Sequence, residues 1–300
     1  MAKLPTRTLA TLASVMVVTS ALTGCATIAT SDQVSSCEPT QKYAVERQGT
    51  GTGPVITDNG IATFTLQVVD DKGEVIVPQG PVYVGSDMQP APGPVKALND
   101  NGYGFITDIM RCAQAGQTVT GKVPVAEFVA SQAQLPNNSA EGDVTITVEI
   151  DKVYHSSASG RVQPPQSGIP AVVTAPNGEP GVTMPDGPAP TERKSATTIA
   201  GFGSTVERGQ VVTLQVTALS WQTGRVVTST WQMSGPAMQV PVGPDDQLYG
   251  ITEDLVGERV GSQRVIIVPG EAIHANPMGF ERVIKPDDAA VFVVDVLGAE

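Results

Sequence analysis

The chain has few of the side chains that carry out acid–base or metal chemistry. Its 300 residues include only two histidines, His155 and His274, and three cysteines. Few residues are therefore present that could form a metal cluster or a Ser/His/Asp arrangement, and no Gly-x-Ser-x-Gly sequence is present. We expect neither a metal nor a cofactor. Aromatic residues make up only 4% of the chain, and its 31 glycines and 24 prolines, with its length, allow two domains of ordinary size.

Positive charge is also scarce. The chain carries 18 Lys and Arg against 30 Asp and Glu, which gives a formal net charge of -12. Such a surplus of carboxylates argues against a nucleic-acid partner. It would also repel anionic lipid headgroups, so the body of the protein is expected to stand off a membrane surface.

No hydrophobic run at the N-terminus is long enough to remain as a spanning helix. Lys3 and Arg7 precede an apolar run, Leu9 through Val18, which ends in Leu22-Thr23-Gly24-Cys25. This order resembles a bacterial lipobox. It predicts a signal peptide over residues 1–24, lipid on Cys25, a tether over residues 25–40 and an extracytoplasmic body held to the cell membrane by its acyl chains. An ordinary secretory peptide with an incidental cysteine is the alternative.

Two cysteines remain after the lipidated one. In an oxidising compartment Cys37 and Cys112 are more consistent with a disulfide than with two free thiols. Such a bridge would hold the N-terminal tail to the first domain. A catalytic cysteine is not favoured, because no histidine lies near either position in the sequence.

Three sequence echoes, in the same order, predict a duplicated unit. Thr65-Leu66-Gln67-Val68 recurs as residues 213–216. Ile106-Thr107-Asp108 followed by a Gly parallels residues 251–253 and Gly261, and residues 144–150 parallel residues 290–296. A stretch rich in Ser, Gly, Pro and Gln separates the copies. We therefore expect one domain over residues 41–154, a linker over 155–168 and a second domain, with an N-terminal lead-in, over 169–300.

Each unit is predicted to consist mostly of β-strands, with one short helix. β-Branched residues alternate with others over residues 211–216, 225–230, 265–268 and 291–296, which is the period of half-buried strands. Between them, Leu248, Ile251 and Leu255 share one helical face, which Asp245 or Asp246 could begin and Gly257 could end. The predicted fold is α+β, mostly β: in each unit an antiparallel sheet wraps over one short helix.

The C-terminal stretch resembles an FKBP-type peptidyl-prolyl isomerase. The resemblance rests on residues 260–271, on Ile284-Lys285-Pro286 and on the strand Ala290 to Leu297. It implies two FKBP-like domains, no cofactor, and activity on proline-containing or unfolded exported polypeptides. Rotation about an X-Pro bond needs no nucleophile, because a dry apolar cavity that favours the twisted amide can lower the barrier of about 20 kcal/mol.

The resemblance also places the proline pocket, with several aromatic positions substituted. The family's first-strand tyrosine falls on Val216, its phenylalanine-aspartate pair on Val227-Thr228, its tryptophan on Ile251 and its later tyrosine on His274. Leu248, Phe292 and Trp231 fit the pattern. The resemblance thus implies Phe292, Ile251 and His274 as catalytic residues, and as substrate-binding residues Val216, Val227, Thr228, Trp231 and Leu248. In the first domain Ile106 and Ile146 take the tryptophan and closing phenylalanine positions.

Two interpretations remain open at this point. The first is a lipid-anchored isomerase whose second domain is active, and the second is an inactive FKBP-like chaperone or binding module of the cell envelope. Several residues also have a plain structural explanation: Phe292 and Ile251 as core residues, His274 as a solvated loop residue, Trp231 as a cap on the core. A cavity floored by Ile251 and walled by Phe292 would favour catalysis, whereas a cavity filled by its own side chains would favour binding alone.

Overall fold

The computed structural model describes residues 37–82, 93–131, 141–231, 237–243 and 248–300. The predicted signal peptide, the lipidation site Cys25 and the start of the predicted tether lie outside these residues, as do Asp245 and Asp246. Within the described ranges no helix is long and apolar enough to cross a membrane. The mostly β fold predicted from the sequence is confirmed.

Residues 37–154 form the first unit around one antiparallel sheet. Its strands lie in the order β1-β7-β8-β3-β4, with β5 beside β3, and a small β2–β6 pair stands apart. The strands are β1 Val45–Gln48, β2 Thr52–Val55, β3 Ile61–Val69, β4 Val75–Pro81, β5 Gly93–Pro94, β6 Gln114–Ala115, β7 Thr118–Pro124 and β8 Asp143–Tyr154. Three short helices accompany them: α1 Lys96–Asp100, α2 Gly104–Met110 and α3 Val125–Ala130.

Residues 155–300 form the second unit. Its sheet has the order β14-β13-β17-β16-β12-β9, with β15 beside β13, and a separate β10–β11 hairpin belongs to the lead-in. The strands are β9 Gly160–Val162, β10 Ala171–Thr174, β11 Pro180–Thr183, β12 Lys194–Gly201, β13 Val211–Ser220, β14 Val226–Ser229, β15 Met238–Pro241, β16 Gln263–Pro269 and β17 Ala289–Ala299. The helix α4 spans Gly270–Ala275, and two 3-10 turns span Glu253–Leu255 and Phe280–Arg282.

The two sheets share the same arrangement of strands. Strands β4, β3, β8, β7 and β1 follow one another as β14, β13, β17, β16 and β12 do. Each long central pair also has an irregularity at its start, between Thr63 and Phe64 in one sheet and between Thr213 and Leu214 in the other. These registers make Ile146 the counterpart of Phe292. They also make Leu66, and not Val68, the structural equivalent of Val216. The two copies of Thr-Leu-Gln-Val are therefore displaced by two residues from structurally equivalent positions.

The second sheet is buried on both faces. Its inner face carries Phe292, Val294 and Ile266, and its outer face carries Val291 and Val293. Residues of the lead-in pack on that outer face: Ile169, Val172, Val182, Met184 and Ala189. Consequently the nine residues from Ala289 to Leu297 are all buried. The lead-in is therefore the outer wall of a second hydrophobic layer.

The helix predicted between Leu248 and Leu255 does not form as a continuous helix. Tyr249 and Gly250 both have positive φ, 60° and 72°, which interrupts a right-handed helix at that point. Only the 3-10 turn Glu253–Leu255 remains, and Gly257, with φ of 87°, follows it. The described part of the first unit has three helices rather than one. The expectation of one short helix in each unit was wrong in this respect.

Residues 155–168, predicted to be a linker, are partly built into the second unit. Strand β9 pairs with β12, and the backbone N–H of Ala158 donates to the buried carboxylate of Asp295 at 2.8 Å. The units also contact each other directly. Ile61 and Tyr154 of the first pack with Ala237 and Leu297 of the second, and the segment between them is not a free tether.

The disulfide predicted from cysteine count is confirmed. Cys37 and Cys112 are bonded, with their Cα atoms 5.5 Å apart and a sequence separation of 75. The backbone N–H of Cys112 also donates to the carbonyl of Ile56 at 2.8 Å. The bridge therefore fastens the segment before β1 to the loop that follows α2.

Candidate functional site

Three aromatic rings meet at one end of the inner core of the second unit. Phe280 stacks on Phe292, with ring centroids 5.7 Å apart and an interplanar angle of 7°. The ring of Tyr249 lies 5.2 Å from that of Phe280 and 6.2 Å from that of Phe292. The backbone N–H of Phe280 donates to the Tyr249 hydroxyl at 3.0 Å, so the loop that carries Phe280 is fixed to the turn that carries Tyr249. We call Tyr249, Phe280 and Phe292 the aromatic cluster.

The sheet fixes what lies beside Phe292. Ile266, Phe292, Ala218 and Thr228 are direct neighbours across β16, β17, β13 and β14, so their side chains share one face. Phe292 is 1% exposed, whereas Thr228 is half-buried. The row therefore runs from the buried core to the hydroxyl of Thr228 at the rim. The resemblance implies a carboxylate at this position.

Five of the residues predicted for the proline pocket belong to the core that contains the aromatic cluster. Val216, Ile251 and Phe292 are buried there, while Val227 and Leu248 are partly buried at its margin. Met238 and Phe280 lie at the same margin. The structure thus brings an apolar floor and a partly exposed apolar rim together at the predicted place.

His274 makes a different contact from the one predicted. It lies exposed on α4, and its Nε2 is 2.9 Å from the backbone carbonyl of Ile284. A carbonyl can only accept, so Nε2 carries the proton and donates. The N–H at Nε2 is therefore already engaged with the backbone and is not free for a substrate carbonyl. In this structure His274 fastens α4 to the segment before β17.

Trp231 is not brought to the aromatic cluster. A Cβ atom placed on Gly178, at the turn of the β10–β11 hairpin, would lie 2.6 Å from the Trp231 ring and 2.7 Å from the Cβ of Ser157. The indole therefore lies against the lead-in, which covers the outer face of the sheet. The close approach also explains the glycine at position 178, since no side chain would fit there.

Polar contacts hold the turn around Ile251 from outside the apolar site. The hydroxyl of Thr252 donates to the carbonyl of Gly243 at 3.1 Å. Arg208 makes a two-pronged ion pair with Glu253, and Arg193 pairs with Asp254 at 2.7 Å. Over the part of the chain that the structure describes, no three His, Cys, Asp or Glu side chains gather as a metal site. The site offers an apolar surface with hydroxyl groups at its border.

The C-terminal part of the chain matches a known family. Residues 203–297 match the family model described as FKBP-type peptidyl-prolyl cis-trans isomerase. The second unit belongs to this family. The assignment classes the protein as an FKBP-type peptidyl-prolyl isomerase, and isomerases of this kind act on proline-containing polypeptides.

Curated relatives agree with the family model. An "FK506-binding protein" of Streptomyces anulatus is 24% identical over 119 residues, which cover 40% of this chain and 95% of the relative. A "Probable FK506-binding protein" of Corynebacterium glutamicum is 27% identical over 121 residues, covering 40% of this chain and 98% of that one.

Two solved structures also align. The three FKBP domains of wheat FKBP73 align with a TM-score of 0.32 and 11% identity, covering 85% of this chain and 94% of theirs. A putative peptidyl-prolyl isomerase, FKBP12, of Mycobacterium tuberculosis aligns with a TM-score of 0.29 and 23% identity, covering 37% of this chain and 86% of the other. The family assignment therefore depends on the family model and the relatives.

Two of the three aromatic residues of the cluster were not predicted from the sequence. Tyr249 and Phe280 lie at none of the pocket positions that the resemblance implies, and each is a single aromatic residue in a loop. A signal was nevertheless available, since the chain has only six phenylalanines and five tyrosines. Two of these eleven fall in loops within residues 203–297, the range that matches the family model.

Proposed function

We propose that the second unit catalyses the cis–trans isomerisation of X-Pro bonds in exported polypeptides at the outer face of the cell membrane. The observation that carries this proposal is the aromatic cluster with its apolar floor. Phe292 and Ile251 are 1% and 0% exposed, and Phe280 forms a partly exposed wall beside them. An apolar site of this kind favours a twisted amide, which has lost its resonance, over a planar one.

The catalytic contribution is one of differential binding. Phe292 is 1% exposed and lies stacked under Phe280, so a proline ring would rest on Phe280. There it would be removed from water, while the amide that precedes it rotates. The hydroxyl of Thr228, at the end of the row that contains Phe292, is the nearest polar group to that position in the row. No covalent step is needed, so the reaction requires only shape, an apolar surface and one polar contact.

The proposed location is supported by sequence and by the disulfide. The predicted lipobox ending in Cys25 would place the body of the protein outside the cytoplasm, anchored by lipid. The bond between Cys37 and Cys112 fits an oxidising compartment, in which such bridges persist. Exported proteins that are still unfolded are the polypeptides that such an enzyme would meet.

We also propose that the first unit is a divergent FKBP-like copy with little or no catalysis. Its sheet has the same strand order as the second, and Ile146 takes the place of Phe292. Three aromatic rings also meet in this unit, since Phe105 lies 6.2 Å from Tyr103 and 6.1 Å from Phe128. These rings are carried by the start of α2 and by α3, whereas the cluster of the second unit is built on β17 and its neighbouring loops.

The test is a proline-isomerisation assay on a tetrapeptide and on a slow-refolding protein, with the chain from Ser35 onward. We expect acceleration above background and at least a tenfold loss with Phe280→Ala, which removes the exposed wall and leaves buried Phe292 in place. The matched control is Phe105→Ala in the first unit, which should leave the rate unchanged. Equal rates in wild type and Phe280→Ala would remove the proposed site, and absence of any acceleration would leave a binding module.

A further inference from the structure

One long edge of the second sheet is open over half of β12. Strand β9 pairs with β12 only from Ile199 to Gly201. One further bond follows, from the backbone N–H of Gln163 to the carbonyl of Thr198 at 2.8 Å. From Lys194 to Thr197 the described residues place no strand on this side, although β16 pairs with all four of these residues on the other.

The direction of the backbone groups on this edge follows from the ladder. The N–H of Gly270 donates to Asp288 across the β16–β17 pair, so the even-numbered residues of β16 hydrogen-bond to β17. Val265 and Ile267 must then bond to β12, where they face Ala196 and Lys194. It follows that the N–H and C=O groups of Ser195 and Thr197 point outward. They form the hydrogen-bonding pattern of an exposed edge strand.

The chain cannot close this edge with its own neighbouring segment. Pro164 and Pro165 follow Gln163 directly, and proline has no N–H to donate to a ladder. The segment therefore leaves β12, and a slot of about 490 Å³ separates Pro164, Pro165 and Gln166 from Ser195 and Thr197. Gln163 and Gln166 also line the slot, and the side-chain amide of Gln163 donates to the carbonyl of Arg161 at 2.8 Å.

Charge at the floor of the slot is balanced. The guanidinium of Arg264 donates to the hydroxyls of Thr197 and Ser195, both at 2.9 Å, and forms an ion pair with Glu258. The same two hydroxyls also donate to carboxylates, Ser195 to Asp254 at 2.8 Å and Thr197 to Glu258 at 2.6 Å. Each of these carboxylates is paired with an arginine, Asp254 with Arg193 and Glu258 with Arg264, so a segment approaching this edge meets paired charges.

A second groove continues along the same two walls. It has a volume of about 600 Å³, with Ser167 and Gly168 on one wall and Thr191 and Lys194 on the other, and Trp221 and Pro188 lie along it. The indole N–H of Trp221 donates to the carbonyl of Gly187 at 3.3 Å, and the side chain is 6% exposed, so only a small part of the ring reaches the groove. Residues 191–197 would span about 20 Å if extended. We call the slot and the groove together the trench.

We propose that the trench binds an extended, unfolded polypeptide segment as an added strand. The ligand is recognised by its backbone, which pairs with Ser195 and Thr197, while a side chain further along reaches the groove lined by Trp221. Strand addition to a sheet edge is a general mode of peptide recognition. The identity of the ligand as a client polypeptide rests on the proposed function, but the trench lies two strands away from β17 and its binding does not depend on isomerisation.

The test compares two substitutions at one residue. Thr197→Pro removes the outward N–H without touching the β12–β16 ladder, whereas Thr197→Val keeps the N–H and removes only the hydroxyl. The probe is reduced, carboxymethylated α-lactalbumin, a permanently unfolded acidic chain, and its affinity is measured with the chain from Ser35 onward. We expect Thr197→Pro to weaken binding at least tenfold and Thr197→Val to change it by less than twofold.

The outcomes separate the trench from the proline site. The proposal is supported if Thr197→Pro loses binding of the probe while its tetrapeptide isomerisation stays the same as that of wild type. This holds even if wild type shows no isomerisation. Binding within twofold of wild type in Thr197→Pro, or no binding by wild type, overturns it. If Thr197→Pro does not fold, hydrogen exchange on wild type decides: the amides of Ser195 and Thr197 must exchange more slowly with the probe present, and unchanged exchange overturns the proposal.

Discussion

The two sheets share a strand order and differ in what covers them. At equivalent positions, Glu149 on β8 is exposed, whereas Asp295 on β17 is 2% exposed. The lead-in and residues 155–159 cover the outer face of the second sheet, and β8 shows the alternation of a strand with one open face. One scaffold thus supports a two-layered core in the first unit and a three-layered core in the second.

The inner faces differ as well. In the first unit the position of Phe292 is taken by Ile146, which is fully buried. In the second unit Phe292 is buried too, but Phe280 and Tyr249 extend the apolar surface from it to the rim. The comparison shows that the site depends less on the sheet than on two loops attached to it. Altering the first unit should therefore change stability alone, and altering the second should change activity as well.

The largest effect is expected from truncating the matched pair at the centre of each sheet. Phe292→Ala should lower the unfolding free energy of the second unit by about 3–5 kcal/mol, and Ile146→Ala that of the first by about 2–5 kcal/mol, because each leaves a cavity. Only Phe292→Ala should also abolish isomerisation. Hydrogen exchange resolved by unit, with a tetrapeptide assay, checks both. Loss of activity in Ile146→Ala at a temperature where the second unit stays folded would contradict the comparison.

Removing the disulfide should increase the difference in stability between the two units. Cys37→Ser combined with Cys112→Ser releases a loop that closes over 75 residues. We expect the first unit to lose about 2–4 kcal/mol. Urea unfolding followed by fragment-resolved hydrogen exchange measures this, and wild type in reductant should behave like the double variant. An equal loss in the second unit would show that the bridge supports both.

The covered outer face predicts a pH dependence in the stability of the second unit. Burial raises the pKa of Asp295 to about 6, against an ordinary value of 3.8. A raised pKa means that the folded state favours the protonated carboxyl. Its contribution to stability is therefore present below about pH 4 and is lost as the pH rises through 6, by at most about 3 kcal/mol.

Asp295→Asn isolates this effect. The asparagine variant should gain stability over wild type as the pH rises from 4 to 7, since its amide keeps an acceptor for the N–H of Ala158 and carries no charge. Glu149→Gln, at the exposed equivalent position, serves as the control. Unfolding free energies at several pH values measure both, and a difference between wild type and Asp295→Asn that does not vary with pH would count against the buried charge.

Much of this architecture could be predicted from local patterns in the sequence. Alternating β-branched residues indicated the strands, and cysteine count indicated the bridge between Cys37 and Cys112. The run from Ala290 to Leu297 also predicts that its strand is buried on both faces, because a strand that is apolar at almost every position is typical of such burial. That pattern indicated a cover for the outer face, which the lead-in provides.

The rest depended on backbone conformations and contacts that no pattern shows. Tyr249 has a positive φ, which is rare for a tyrosine, and a helical spacing of apolar residues cannot reveal it. The contact between the N–H of Phe280 and the hydroxyl of Tyr249 joins residues 31 positions apart. The structure likewise engages His274 with the carbonyl of Ile284, a partner that the family pattern did not suggest.

The smallest expected effect lies where the two units meet. The hydroxyl of Tyr154, at the end of β8, donates to the carboxylate of Glu300 at 3.0 Å, and Lys152 pairs with the same carboxylate. Tyr154→Phe removes one hydrogen bond and keeps the ring packed beside Leu297, so we expect a cost of about 1 kcal/mol.

That cost should appear as weaker coupling between the units. If the contact joins them, Tyr154→Phe will move the unfolding transitions of the two units apart in a denaturant titration, and Lys152→Met will move them less, because exposed ion pairs contribute little. Tyr43→Phe, which removes a hydroxyl bonded to Glu127 within the first unit, is the control. A shift of both transitions together, with their separation unchanged, would mean that Tyr154 stabilises the fold without coupling its halves.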